Sequence, residues 1–576
     1  MSAAYAPRAR LLVRVRILCA LFILVALLLI TRLYFVQIVH GDMHRQSAEG
    51  QYVQAASDIQ SRREIRFTRH TGEEVAAAIM QTGWRVAIHP AQLEDSAHAY
   101  EMLRGVVQID EERFYASAAK IDDPYEEVAF RVSDSEAAAV RALKLPGVTT
   151  VRDEWRMYPA AELAAQTIGF VGYRGERRAG VYGLERYYED TLKRADSKLY
   201  VNPFAEIFAN VQAALASDPA AHEGDIITSI EPAVQTRLED TLRAVMESFA
   251  PRMAGGIVME PSSGRIIALA IHPTFDPNTF NTVEDQTVFS NPLVESVYEM
   301  GSIMKPLTIA AAIDAGAITP NTTYEDRGFV IKSGKRISNY DGRARGVVDM
   351  QQVLGQSLNT GVSFAVDRMG KETFARYIEA LGLGEETGID LPNEAAGNIR
   401  ALAGSVDVDY ASASFGQGIA FTPIAMVRAL ATLANGGALP EPHIATAVRY
   451  PSGIVRPLAR ANARQVFSPE TATQVTDMLV TVYDESLLGG ELKVERYSIA
   501  AKTGTAQIAN PHAGGYYADR YLHSFFGYFP AHEPRFIVLL YAIEPKREIY
   551  ASATLARPFS ALADFLIRYY EIPPDR

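Results

Sequence analysis

The chain has 576 residues, of which 48% are hydrophobic and 22% charged, and its formal net charge is −12. That length calls for two or three units with material for a large core. The composition excludes a disordered or collagenous chain, and the acidic balance offers no footprint for nucleic acid.

Arg8, Arg10, Arg14 and Arg16 precede an apolar run over 17–39. That run matches the roughly 20 residues a helix needs to cross a bilayer. Arginines on its N-terminal side place 1–16 in the cytoplasm and the rest of the chain on the far side. A cleaved secretory signal would end in a small-x-small site. Here the run closes on Arg32-Leu33-Tyr34-Phe35, so an uncleaved anchor is expected. Arg32 would snorkel to the outer interface beside Tyr34. No second run of this length follows, which implies a single-pass inner-membrane protein with an extracytoplasmic (periplasmic) body. The one cysteine, Cys19, rules out an intramolecular disulfide and a cysteine-cluster metal site. The 11 histidines contain no HExxH-type pair, and no metal is expected.

Residues 40–223 are mixed and charged. "EEVAAAIMQTGWRVAIHP" and the stretch 151–192 suggest short strands and helices, an α+β membrane-proximal domain. The texture changes near 224, where a strand over 225–230 runs into an amphipathic helix over 232–249. In "AGGIVMEPSSGRIIALAIHP" two apolar runs flank Glu260-Pro261-Ser262-Ser263-Gly264, a hairpin expected at the centre of a sheet. Mainly helical sequence follows over 304–383 and 422–435. "HSFFGYFPAHEPRFIVLLYAIEP" supplies two more strands, and "SALADFLIRYYEI" a closing helix. Strands at both ends of 224–576 with helices between them imply an α/β domain, a sheet covered by helices.

Within "VYEMGSIMKPLTIAAAI", Ser302 and Lys305 stand three apart, on one face of a helix that Gly301 lets the chain enter tightly. A serine hydroxyl is a poor nucleophile until a base takes its proton, and a lysine serves only if burial or a second cation lowers its pKa. S-x-x-K alone is a weak signal. It recurs at Ser117 and Lys120, where the polar neighbourhood "IDDPYEE" suggests an ordinary surface serine. Two later motifs single out Ser302: Ser357-Leu358-Asn359, an S-x-N, and Lys502-Thr503-Gly504-Thr505, a K-T-G-T. In this order the three form the signature set of penicillin-interacting serine enzymes. Residue types suggest the roles. Lys502 is a second cation pushing Lys305 towards neutrality. Ser357 relays a proton. Asn359 orients Lys305 and holds a substrate amide. The Thr503 and Thr505 hydroxyls meet a carboxylate, and Gly504 admits a substrate strand close to the backbone. The N–H groups of Ser302 and Thr505 form an oxyanion hole.

The chain resembles the class B penicillin-binding proteins, membrane-anchored monofunctional peptidoglycan D,D-transpeptidases. The resemblance is carried by these motifs together with "GDIITSIEPAVQ", "GIVMEPSSGRIIALAIHPTFDPNTF", "GLGEETGIDLPNEAAG" and "SFGQGIAFTPIAM". It is close over 224–543 and fainter in "YPAAELAAQTIGFVG" and "YGLERYYEDTL". Met300 stands where the family often has proline, and "RREIRFTRHTGEE" keeps only part of its pedestal-opening pattern.

The resemblance implies the penicillin-binding transpeptidase fold over 224–576, an antiparallel sheet covered by helices. It implies a pedestal over 40–223, one anchor over 17–39 and a cytoplasmic 1–16. It also implies cross-linking of stem peptides through a Ser302 acyl-enzyme, inhibition by β-lactams, no metal and no organic cofactor. The implied partners are a SEDS-type glycosyltransferase and other division or elongation membrane proteins. The segment around Ser302 and the lack of extra insertions favour a division-type member. A β-lactamase or D,D-carboxypeptidase would share two motifs, but those chains are usually shorter and lack such a pedestal. An inactive scaffold or sensor fits poorly with an intact motif set.

Overall fold

The computed structural model describes residues 62–175, 177–194, 223–461 and 463–576, together with Val25 and Leu29. The expected cytoplasmic segment 1–16 and, those two helical positions apart, the expected anchor 17–39 lie outside the described residues. Among the described residues no helix is long and apolar enough to cross a membrane.

Strand β1 (Ile65–Thr68) pairs antiparallel with β2 (Glu74–Ile88), Ile65 opposite Ala78. Where the sequence suggested short elements, β2 is one strand of 15 residues. It serves two neighbourhoods. Its first half lies on β1, and its second half lies between β3 (Glu126–Val132) and β4 (Val148–Met157). Helices α1 (Ser96–Arg104), α2 (Glu111–Ala118) and α3 (Asp134–Ala142) belong to the same region, with a core built from Val86, Ile88, Leu103, Phe114, Val128 and Val140. Ser133 and Glu136 close a capping box at the start of α3.

After β5 (Asp225–Thr228), helix α4 runs over Pro232–Phe249, as its apolar spacing anticipates. Glu231 caps it by accepting the Val234 N–H at 2.7 Å, and Pro232 needs no N–H in the first turn. Val234, Leu238, Leu242 and Val245 form its buried stripe. Strands β6 (Met253–Met259) and β7 (Ile266–His272) make the expected hairpin. It sits at one end of its sheet rather than at the centre, because β7 has a single ladder partner. Continuous apolar runs suggested a central place. The end strand is equally apolar because α4 packs on it and a parallel bridge from Arg265 to His443 shields its start.

A short turn, Gly301–Met304, leads into α5 (Lys305–Asp314). The chain beyond is not the continuous helix region expected. Strands β8 (Thr323–Asp326), β9 (Phe329–Lys332), β10 (Lys335–Ser338) and β11 (Gly346–Asp349) form two nested hairpins, β8 with β11 and β9 with β10. Gly328, Gly334, Gly342 and Gly346, all at positive φ, break any helix there. Helices α6 (Met350–Gly355), α7 (Asn359–Met369) and α8 (Pro423–Ala434) follow. Then come β12 (Ala445–Arg449), β13 (Val455–Pro457), α9 (Pro469–Thr481), β14 (Ala500–Ala509), β15 (Tyr516–Phe529), β16 (Phe536–Ile543) and α10 (Ala551–Tyr569).

Two sheets organise the body. The first is antiparallel throughout, in the order β14-β15-β16-β6-β7. Helices α4 and α10 pack against it, as do α8 and α9. The second runs β13-β12-β5-β1-β2-β3, with β4 also on β2. In it β5 pairs parallel with β1 and antiparallel with β12. Strand 225–228, which the sequence assigns to the C-terminal domain, therefore shares a sheet with the N-terminal strands.

Candidate active site

Gly301 adopts φ +64°, a left-handed value open to glycine. This bends the chain so that Ser302 lies on the turn and Lys305 becomes the first residue of α5. Every residue from Lys305 to Ala312 is buried, so the lysine enters a dry site. The Lys305 side chain is 0% exposed. Its amine donates to two oxygens of one residue, Ser357 O at 2.5 Å and Ser357 Oγ at 3.1 Å. Lys502, also buried, donates to the same Ser357 Oγ at 3.1 Å and to Thr503 O at 3.0 Å. One hydroxyl thus bridges two buried lysines. Burial, and after it the neighbouring Lys502 charge, pushes the Lys305 pKa well below the usual lysine range. Burial alone brings Lys502 down to about 7.

Ser357 occupies the junction of α6 and α7 at φ +55°, an uncommon backbone state for a residue with a side chain. The strained turn is secured on both sides. Leu358 N–H donates to Val353 O at 2.9 Å. Asn359, the first residue of α7, donates Nδ2 to Ser338 O at 2.9 Å. The expected contact from Asn359 to Lys305 is therefore replaced by one to the nested hairpins. Behind it stands a buried polar network absent from the sequence reading. The Asp326 carboxylate accepts from Thr360 Oγ1 at 2.7 Å, from Asn339 Nδ2 at 3.0 Å on each oxygen, and from the N–H groups of Gly328 and Arg345. Asn339 Oδ1 in turn accepts from Thr360 N–H at 3.3 Å. The one available signal was a threonine directly after the S-x-N.

The K-T-G strand, β14, is the edge of the antiparallel sheet. Alternation sends Lys502 and Gly504 to the face that meets the nucleophile turn, and Thr503 and Thr505 to the other. A Cβ on Gly504 would stand 2.8 Å from Met300 O and 3.1 Å from Ile303 N. The glycine is required by close packing inside the protein, where the sequence suggested close approach of a substrate. Thr505 Oγ1 accepts the N–H of Ala551, the first residue of α10, at 3.1 Å.

The second S-x-x-K is built differently. Ser117 is buried rather than on the surface, because it follows Phe114 on the inner face of α2. Its hydroxyl donates to Glu126 at 2.8 Å, and the exposed Lys120 pairs with the same carboxylate at 2.6 Å. Both donors serve an anion, so no neutral amine faces that serine.

Residues 254–562 match the penicillin binding protein transpeptidase domain, and 73–211 match the penicillin-binding protein dimerisation domain. The chain is 30% identical over 546 residues to stage V sporulation protein D of Bacillus subtilis, covering 92% of this chain and 81% of that one. It is 26% identical over 440 residues to the peptidoglycan D,D-transpeptidase FtsI of Buchnera aphidicola, with 76% and 73% covered. The apo crystal structure of penicillin binding protein 3 from Mycobacterium tuberculosis superimposes with a TM-score of 0.65 at 26% identity, over 74% of this chain and 92% of that one. The transpeptidase match alone spans more than half of the sequence, and these relatives align along most of both chains: the protein belongs to the class B penicillin-binding protein family.

Proposed function

We propose that this protein is a serine-type peptidoglycan D,D-transpeptidase of the division type, with Ser302 as nucleophile. The observation that carries the proposal is the single Ser357 hydroxyl held 3.1 Å from each of two buried lysines. A neutral Lys305 amine has two N–H groups, which match the two Ser357 oxygens, and one lone pair left to draw the proton from Ser302.

Ser302 Oγ then attacks the carbonyl of the penultimate D-alanine of a stem peptide. The N–H groups of Ser302 and Thr505 receive the developing oxyanion. The C–N bond breaks, and the proton travels from Lys305 through Ser357 to the departing D-alanine amine. The product is an ester on Ser302. An amine of a neighbouring stem peptide attacks that ester by the reverse route, giving the cross-link and restoring the serine. Lys502 keeps Lys305 neutral, the Thr503 and Thr505 hydroxyls meet the substrate carboxylate with Gly504 admitting the substrate strand between them, and Asn359 steadies the S-x-N turn and holds a substrate amide. β-Lactams open on the same serine. Residues 1–16, 17–39, 40–223 and 224–576 serve as cytoplasmic tail, membrane anchor, pedestal and extracytoplasmic catalytic domain. The anchor and pedestal meet a SEDS-type polymerase.

The test is labelling with a fluorescent penicillin. Ser302→Ala is expected to abolish the adduct while Ser117→Ala leaves it, and the wild-type adduct outlasts an hour-scale chase. Labelling that survives Ser302→Ala rejects the nucleophile, and an adduct that clears in seconds makes the protein a hydrolase.

A further inference from the structure

The peptide unit between Met300 and Gly301, one unit upstream of the peptide that carries the Ser302 N–H, is gripped from two sides. Its carbonyl, Met300 O, accepts a hydrogen bond from Ser524 Oγ at 2.8 Å. Its N–H, on Gly301, donates to Gly416 O at 3.2 Å. In a trans peptide these groups point in opposite directions, so the two bonds together stop the plane from rotating. A further bond, Gly418 N–H to Glu299 Oε1 at 3.1 Å, keeps the 416–418 segment in place.

Ser524 lies on β15 directly opposite Gly504 and is 0% exposed. Its hydroxyl reaches Met300 through the space a side chain at 504 would fill. A Cβ there would stand 2.4 Å from Ser524 Oγ. Among the described residues the only other acceptor the hydroxyl approaches, Gly504 O, is at 3.4 Å, the limit of a hydrogen bond. The grip matters because Gly301 has few steric barriers of its own. A turn entered through a free glycine would let the Ser302 N–H wander. An oxyanion hole works only with donors already aimed at the position the oxygen will take.

We infer that Ser524 is a positioning residue of the transfer reaction: its hydroxyl, passing through the notch at Gly504, fixes the Met300–Gly301 peptide from which Gly301 turns into Ser302, and so sets where the Ser302 N–H stands for the developing oxyanion. The inference rests on Ser302 being the nucleophile, as proposed above. It assigns a function to a residue outside the three motifs.

The experiment uses the full chain in detergent and follows acylation by a fluorescent penicillin in stopped flow. Concentration dependence separates the dissociation constant of the first complex from the acylation rate constant. Ser524→Ala and the volume-conserving Ser524→Cys are each expected to lower the acylation rate constant on the order of 10- to 100-fold, with the dissociation constant changed by less than about twofold. The ester carbonyl stretch of the acyl-enzyme is expected to move to higher wavenumber as its hydrogen bonds lengthen, a change that loss of packing alone would not produce. A wild-type rate constant with an unshifted carbonyl band in either folded variant overturns the inference. Failure of both variants to fold assigns Ser524 to structure alone and overturns it equally. Ser302→Ala run alongside separates the two ideas: an adduct surviving there defeats the nucleophile assignment and the inference with it, whereas loss of the adduct there with wild-type behaviour in the Ser524 variants defeats the inference alone.

Discussion

Lys305 and Lys502 are buried around one hydroxyl, and among the described residues no carboxylate is a hydrogen-bond partner of either amine. An isolated buried ammonium is costly, so both amines are driven towards neutrality. The consequence for pH is definite. An unfolded lysine titrates near 10.4, while Lys502 in the folded protein titrates at about 7. Between those values the unfolded chain holds the proton and the folded chain does not. Stability therefore rises with pH across that window, and Lys305, shifted in the same direction, adds to the slope. Thermal melts of Lys502→Met from pH 7 to 9 are expected to show a flatter rise than wild type. Removing the Lys502 charge also removes one of the influences that lower Lys305, so the acidic limb of the acylation rate should move to higher pH. A limb that stays put or moves to lower pH would count against coupling between the two lysines.

At the scale of elements, the nested hairpins and the start of α7 behave as one piece. Asp326 on β8, Asn339 after β10 and Thr360 on α7 share hydrogen bonds in the interior, and Tyr324 Oη lies 2.9 Å from Thr360 Oγ1. This assembly holds Ser357 at its unusual φ. Thr360→Val keeps the shape and deletes the hydroxyl, leaving Asp326 and Asn339 short of a partner. It is expected to reduce stability by about 1–3 kcal/mol in a denaturant melt and to slow acylation, whereas Thr360→Ser keeps both. Equal loss in the two variants would place the effect in packing and not in the hydrogen bonds. None of this network was legible in the sequence. Asp326 ends β8 and Asn339 follows β10, in a glycine-punctuated stretch whose closure depends on contacts with α7.

For the molecule as a whole, β1 and β5 join the N-terminal region to the later chain in one sheet, and the N-terminal region carries a buried charge cluster of its own. Arg62 just before β1, Arg156 on β4 and Glu185 form a buried cluster. Glu185 Oε1 accepts from Arg156 Nε at 2.6 Å, Glu185 Oε2 accepts from Arg62 Nε at 3.1 Å, and Arg62 also pairs with Glu189 at 2.8 Å. Glu185→Gln leaves two buried guanidiniums undercompensated. It is expected to destabilise the fold by about 3–5 kcal/mol, read as a lower denaturant midpoint. A shift within the scatter of surface variants would show that the cluster adds little to the stability of the fold. Within "RREIRFTRHTGEE", Arg62 supplies the buried charge and Ile65 a core side chain.

What the sequence by itself determined was local or ordinal. The 232–249 helix followed from its apolar spacing and a proline at its start. The strands after 523 followed from two apolar runs about a proline-containing turn, and three motifs in a fixed order singled out Ser302 as the candidate nucleophile. The sequence misplaced what depends on partners far along the chain. It took 315–349 as helical, the 253–272 hairpin as central and Ser117 as exposed, and it gave Gly504 a role towards substrate alone. Period and turn chemistry are set by neighbours a few residues away. Whether a lysine loses its charge, or a glycine leaves a passage, depends on groups brought in from elsewhere. Ser357 meets Lys305 across 52 residues and Lys502 across 145, and Ser524 meets Met300 across 224. Only the folded chain creates the dry, crowded pocket in which two buried lysines share one hydroxyl.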